Sequence, residues 1–299
     1  MDDIKILLVG CGYWGKNWYN TIKNSSYELV GVVDPNPILD VDVPLFTDIN
    51  SVGVDYTHII LSVPPKYVGD ILKDVKIKSN KILIEKPCGV SKKDVMKLGN
   101  FYPGFIFLNS PHYQYIKKNI DKIGKPLFFN SSRASMGPRI RTDVSILEDY
   151  LIHDLYIFMS LFGNNISVEN VSMSDTFNNP IKSDTINLSL KCGDIRADMF
   201  SSWWFPQKTR KLFIIGDKGS FIWEDESLRF YGGYYKEIDG IDKNRNVGYE
   251  LIDSLTEPLV YTTQKSNLEL ELDNFINDKK LDVTALDVWN LIEKIKNES

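Results

Sequence analysis

A doubly wound parallel α/β domain followed by an α+β domain with a large, mostly antiparallel sheet is the fold class this sequence predicts. Three observations carry the expectation. Strand-like and helix-like segments alternate through the first third of the chain, strand-like runs joined by short Gly, Asp and Asn turns fill its middle, and a glycine-rich turn separates the first strand-like run from the first helical one.

The elements follow in order. IKILLV (4–9) is a continuous apolar run of strand length, as a strand buried on both faces requires, and Gly10, Gly12 and Gly15 follow it at once. YELVGVVD (27–34), THIILSV (57–63) and KILIEKP (81–87) repeat the pattern, with helical segments such as KYVGDILKDVKI between them. Beyond about residue 115 the texture changes. GKPLFFNSSRASMG, DTINLSLKCGDIRADMFSSWWF, KTRKLFIIGDKGSFIWED and SLRFYGGYYKEI read as strands and tight turns, and DVSILEDYLIHDLYIFMSLFG reads as a helix. LELELDNFINDKK and TALDVWNLIEKIKN carry apolar residues at helical spacing and read as two closing helices. Two domains are therefore expected, residues 1–115 and 116–299.

Composition narrows the function classes. The net charge is −5 and the lysines and arginines are spread along the 299 residues, so there is no basic stripe for nucleic acid. Acidic small substrates stay open, because a local pocket can oppose the net sign. Cys11, Cys88 and Cys192 are odd in number, far apart and without a Cys-x-x-Cys pair, which points to neither a disulfide frame nor a metal site. Charged residues at the N-terminus lead straight into a strand and no apolar stretch approaches membrane-spanning length, so a soluble, cytoplasmic protein without membrane association is expected.

Gly10-x-Gly12-x-x-Gly15 stands after a strand and at the opening of a helix, the context in which this pattern signals a dinucleotide site. Gly10 allows the tight turn, Gly12 lets backbone approach a pyrophosphate, and Gly15 lets helix pack on strand. Asp34 ends the second strand about 20 residues further on, where a carboxylate accepts both ribose hydroxyls and repels a 2′-phosphate. NAD is favoured over NADP. Glu85-Lys86-Pro87 ends a parallel strand, where open α/β sheets place their ligands; Lys86 there is a reactive cation, a surface cation or a partner of Glu85. Asp149 and His153 are four apart and share one helix face, either as an acid/base pair or as a core histidine oriented by the aspartate. His112 and Tyr113 fall where two domains should meet, and His58 opens a buried strand.

VGCGYWGKN, VVDPN, LSVPPKY, ILIEKP and the Asp149-x-x-x-His153 helix resemble, in order and spacing, the glucose-fructose oxidoreductase / inositol dehydrogenase / rhizopine catabolism (Gfo/Idh/MocA) family, and the resemblance runs through almost the whole chain. It implies an N-terminal Rossmann domain, a second domain with an open sheet, and NAD(P)-dependent oxidation of a hydroxyl. By that resemblance Lys86 hydrogen-bonds the reacting hydroxyl, His153 is the acid/base and Asp149 orients substrate and histidine. Tyr13, Trp14, Val63, Pro64 and Glu85 would join the three glycines, Asp34 and Lys86 around the cofactor. The segment ASMGPRIRTDVSILEDYLIHDL looks most like members acting on nucleotide-linked sugars, which makes Arg139, Arg141 and Asp143 candidate substrate residues. Lys208, Arg210 and His112 are further candidates, and no metal is implied. Trp203 and Trp204 are expected to pack the sheet. The family also implies a homodimer or homotetramer through the C-terminal sheet. A free-sugar or cyclitol dehydrogenase, or a non-catalytic NAD- and sugar-binding regulator, is the alternative reading.

Overall fold

The structure, a computed structural model, describes residues 4–75, 81–136, 140–176, 183–237, 249–259 and 265–299. The chain forms two compact units. The first comprises Met1–Ser110, Leu155–Ser160 and Thr263–Lys296, and the second Pro111–Asp154, Leu161–Thr262 and Asn297–Ser299.

In the first unit β1 (Lys5–Val9) leads through the glycine turn into α1 (Gly15–Lys23) and then β2 (Glu28–Val33) and a short β3 (Leu45–Phe46). β4 (His58–Leu61), α2 (Pro65–Asp74), β5 (Ile82–Glu85), α3 (Lys92–Lys97) and a short β6 (Tyr102–Gly104) follow. The six strands pair in parallel in the order β3-β2-β1-β4-β5-β6. β1 is buried from Ile6 to Val9 and β4 along its whole length, which is why both read as unbroken apolar runs. The strand order reverses between β1 and β4. The glycine loop, Val63-Pro64 and Lys86 therefore follow the carboxyl ends of three neighbouring strands, at the switch point where such sheets bind ligands.

The second unit begins with α4 (Pro111–Lys118) and β7 (Pro126–Ala134). A π-helical turn (Leu147–Leu151) runs into α5 (Ile152–Phe162), whose middle, Leu155–Ser160, counts with the first unit, and then come β8 (Ile166–Ser174), β9 (Thr185–Cys192), β10 (Ile195–Ser202), β11 (Thr209–Gly216), β12 (Gly219–Glu224), β13 (Ser227–Glu237) and β14 (Tyr249–Leu259). These form an eight-stranded sheet in the order β14-β13-β12-β11-β7-β10-β9-β8. Only β7 and β10 pair in parallel; the other neighbours are antiparallel, as the short Gly and Asp turns require. Side chains alternate across β7. Phe129 meets Phe162 edge-on at 6.3 Å and Arg133 pairs with Asp154, so this face lies against α5, while Phe128, Asn130 and Ser132 point the other way.

Two closing helices, α6 (Asn267–Ile276) and α7 (Ala285–Asn297), occur where the apolar periodicity predicts them. Their membership differs from the expected division at residue 115. The first break falls at Ser110, and α6 and α7 count with the first unit. The cause is packing: Leu268, Leu272, Phe275 and Ile276 of α6 share one buried cluster with Ile6 and Leu8 of β1 and Trp18 and Ile22 of α1. A Ser266–Glu269 capping box starts α6 cleanly. Cys11, Cys88 and Cys192 are buried free thiols. Among the described residues no helix is long and apolar enough to cross a membrane.

Candidate functional site

The three segments at the carboxyl edge of the parallel sheet are tied together. Gly10 has φ +90° and donates its N–H to the Val33 carbonyl at 2.8 Å, and a Cβ there would lie 2.4 Å from the Ser62 carbonyl oxygen. A Cβ on Gly15 would lie 2.0 Å from the Gly10 carbonyl oxygen. Gly12 is different: nothing among the described residues lies within 4 Å of its Cβ position. α1 opens behind Trp14, whose side chain makes no capping bond; the Lys16 N–H bonds the Gly12 carbonyl at 2.9 Å and the Asn17 N–H the Trp14 carbonyl at 2.8 Å. Tyr13 is 65 % exposed and Trp14 38 % exposed on this loop.

Asp34 closes the same turn from β2. Its Oδ2 accepts the Cys11 N–H at 2.6 Å and its Oδ1 the Asn36 N–H at 2.8 Å. Val63 is half-buried against the Gly10 turn and Pro64 is exposed at the start of α2. Glu85, at the end of β5, accepts the indole N–H of both Trp14 (2.5 Å) and Trp18 (2.7 Å) on Oε1 and the Lys86 backbone N–H on Oε2 (3.2 Å). Burial raises the Glu85 pKa, opposed by these donors and by the Lys86 charge. Lys86 is half-buried beside it.

In the second unit the predicted residues fall into separate groups. Asp149 sits in the π-turn rather than on a regular α-helix, and the Ile152 N–H bonds five residues back to the Leu147 carbonyl. The Asp149 carboxylate is buried, with Oδ2 accepting the Trp203 indole N–H at 3.3 Å and Oδ1 lying 3.6 Å from Nη1 of Arg141. Arg141 grips Asp143 with two further donors, at 2.9 and 2.6 Å. Burial opposes the Arg141 charge, and its bonds to Asp143 and Asp149 outweigh burial and raise its pKa. His153 is half-buried on the first turn of α5, between buried Ile152 and Asp154.

Lys208 is exposed before β11, and Arg210 is exposed in register with Arg133 of β7. Partial desolvation and the neighbouring Arg133 guanidinium hold Arg210 below its ordinary pKa. His112 is buried, stacks on Trp223 at 5.6 Å, and its Nε2 bonds the Glu226 carbonyl at 3.2 Å. Arg139 lies outside the described residues. Among the described residues no cluster of His, Cys, Asp and Glu is placed to hold a metal ion.

Residues 117–286 match the oxidoreductase-family C-terminal alpha/beta domain of Gfo/Idh/MocA proteins. The chain belongs to the Gfo/Idh/MocA oxidoreductase family. No curated protein matches it in sequence. Among solved structures, UDP-N-acetylglucosamine 3-dehydrogenase GnnA from Acidithiobacillus ferrooxidans superposes with a TM-score of 0.74 at 16 % identity, covering 100 % of this chain and 97 % of the other. Levoglucosan dehydrogenase in complex with NADH gives 0.73 at 13 % identity, covering 99 % and 98 %. Biliverdin reductase from Synechocystis sp. PCC 6803, in complex with biliverdin and NADP+, gives 0.66 at 15 % identity, covering 99 % of each chain. At these identities the likeness is one of fold.

The structure of this Gfo/Idh/MocA chain adds residues that sequence reasoning passed over. Trp203, expected to pack the sheet, is buried and also donates to Asp149. Trp18 joins Trp14 on Glu85, and their spacing of four on α1 was the available signal. Arg133 binds Asp154 through Nε (3.3 Å) and Nη2 (2.8 Å), an ion pair of nearly buried side chains whose partners lie on different elements.

Proposed function

We propose that the chain is an NAD-dependent oxidoreductase that moves hydride between nicotinamide and a secondary hydroxyl or ketone of a nucleotide-linked sugar. The observation that carries the reading is the asymmetry of the loop glycines. Gly10 and Gly15 lack side chains because backbone occupies the space, whereas the space beside Gly12 is open. An open glycine beside an uncapped helix start suits a pyrophosphate. Gly10, Gly12, Tyr13, Trp14 and Gly15 would hold that group, Asp34 the ribose hydroxyls, and Val63, Pro64, Glu85 and Lys86 the nicotinamide end. The Asp34 charge opposes a 2′-phosphate and favours NAD over NADP.

Bound nicotinamide supplies the hydride chemistry. In the proposed reaction Lys86 hydrogen-bonds the reacting oxygen and stabilises developing alkoxide, while His153 takes or returns the hydroxyl proton and Asp149 orients it. Resemblance of the segment before Asp149 to nucleotide-sugar enzymes, and a nucleotide-sugar dehydrogenase among the structural relatives, support the substrate class. Arg139, Arg141, Asp143, Lys208, Arg210 and His112 are the residues assigned to it. The reading also includes a soluble cytoplasmic homodimer or homotetramer built on the sheet face turned away from α5. On that face the Phe128 and Phe213 rings lie 6.3 Å apart and Ile215 is 38 % exposed.

Native mass spectrometry of the purified protein, followed by denaturation, tests the proposal. NAD(H) released together with a nucleotide sugar is the expected result, at the mass of a dimer or tetramer. A protein that neither carries nor takes up a nicotinamide dinucleotide would refute it. Turnover of free sugars alone would replace the substrate class.

A further inference from the structure

The first unit buries a second carboxyl group, on which the Glu85 charge acts. Glu271, on the inner face of α6, is 0 % exposed. Its Oε1 accepts one amide N–H from Asn109 at 3.2 Å, and its Oε2 has no partner among the described residues. Asn109 is fixed in that orientation, because its Oδ1 accepts both the Tyr102 hydroxyl (3.1 Å) and the Asn274 amide (2.7 Å). Glu85 ends β5, which pairs with β6, the strand that carries Tyr102 of this network. Gly104, its register partner on β6, leaves the room: a Cβ there would come within 3.0 Å of the Glu85 carboxyl.

The two acids are solvated very differently by the protein. Glu85 collects three N–H donors and lies beside the Lys86 charge, whereas Glu271 collects one neutral donor and leaves an oxygen bare. A bare oxygen costs less on a neutral acid than on a carboxylate, and two like charges in one core repel. We propose that Glu85 and Glu271 act as one acid pair in which Glu271 holds a proton and Glu85 the charge, making Glu271 a positioning residue for the glycine loop and Lys86. The link runs through Glu85, whose charge holds Trp14 on the loop and Trp18 behind it while its backbone leads into Lys86. The other groups facing the pair fit this assignment. The turn after β5 offers the Lys86 charge and Cys88, whose thiol burial and both carboxyls push up; β6 offers Tyr102, pushed up by burial and by Glu271; α1 offers the Trp18 indole. Burial, and then Glu85, raise Glu271 well above the ordinary carboxyl range.

The positioning role rests on the cofactor reading above, but the proton does not, so the test has two arms. An infrared difference spectrum of wild type minus Glu271→Gln at neutral pH should contain the carbonyl stretch of a protonated carboxyl group. Its absence would overturn the pair. The second arm follows tryptophan emission and NAD affinity from neutral to alkaline pH. As Glu271 ionises, wild-type emission should change and affinity should fall at least about tenfold, while Glu271→Gln, which keeps a neutral hydrogen-bonding group, stays flat. Identical pH profiles would overturn the positioning role. If neither protein binds NAD at any pH, the cofactor reading and the positioning role fail together, and the infrared band still locates the proton.

Discussion

Lys86 and Asp34 carry the two sharpest expectations at the scale of single residues. Lys86→Met should lower turnover by about a thousandfold or more while leaving the NAD dissociation constant nearly unchanged, because in the proposed reaction it removes a hydrogen bond made at the reacting oxygen. Steady-state kinetics beside cofactor titration separates the two; weakened binding with normal turnover would contradict the role. Asp34→Ala should weaken NAD by about tenfold or more and NADP by less, raising the NADP-to-NAD preference. An unchanged ratio would move discrimination elsewhere. Part of the loss would come from the turn itself, since Asp34 accepts the Cys11 and Asn36 N–H groups. The sequence made these positions legible because each sits at a fixed offset from a strand end. It could not disclose Trp203 on Asp149 or Glu271 near Glu85, because those neighbours are far apart in sequence and only the topology brings them together.

At the scale of elements, the strand–turn–helix unit predicts opposite behaviour for two alanines. Gly15→Ala drives a Cβ to 2.0 Å from backbone and should lower the melting temperature, whereas Gly12→Ala meets nothing and should fold normally yet lose NAD affinity. Equal melting temperatures with equal affinities would refute the contrast. β4 supplies a pH prediction. His58 is buried at its start, bonded through Nδ1 to Thr57 and edge-on to Phe275 at 5.5 Å, with Nε2 unpartnered among the described residues. Burial, then Lys81, pushes its pKa from 6.5 down to about 4. The folded state keeps the ring neutral while the unfolded chain takes up a proton, so the stability is full above pH 6.5 and is lost as pH falls towards 4. Urea denaturation should find wild type weakened more than His58→Leu between those limits. The parallel strands were legible as apolar runs. The π-turn was not, because one extra residue in a turn barely disturbs an apolar periodicity.

At the scale of the whole molecule, chain order and structural membership part company. An amphipathic pattern shows that α6 buries a face but not which core receives it, so the expected division at residue 115 left the last helices with the wrong partner. Phe275→Ala should therefore cost the first unit about 3–5 kcal/mol and weaken NAD binding, although it lies in the last tenth of the chain. Limited proteolysis would locate the loosened segment; loosening confined to the eight-stranded sheet would contradict the assignment. The return of α6 and α7 also sets a schedule for synthesis. Domains ordinarily fold as they leave the ribosome, at about 5–20 residues per second. Here the glycine loop and its parallel sheet emerge first, yet the helices that cover them follow only after the roughly 150 residues of the intervening segment, Pro111–Thr262. For about 8–30 seconds the newborn first unit must wait with an apolar flank uncovered, so the second unit can close its sheet before the first can finish its core.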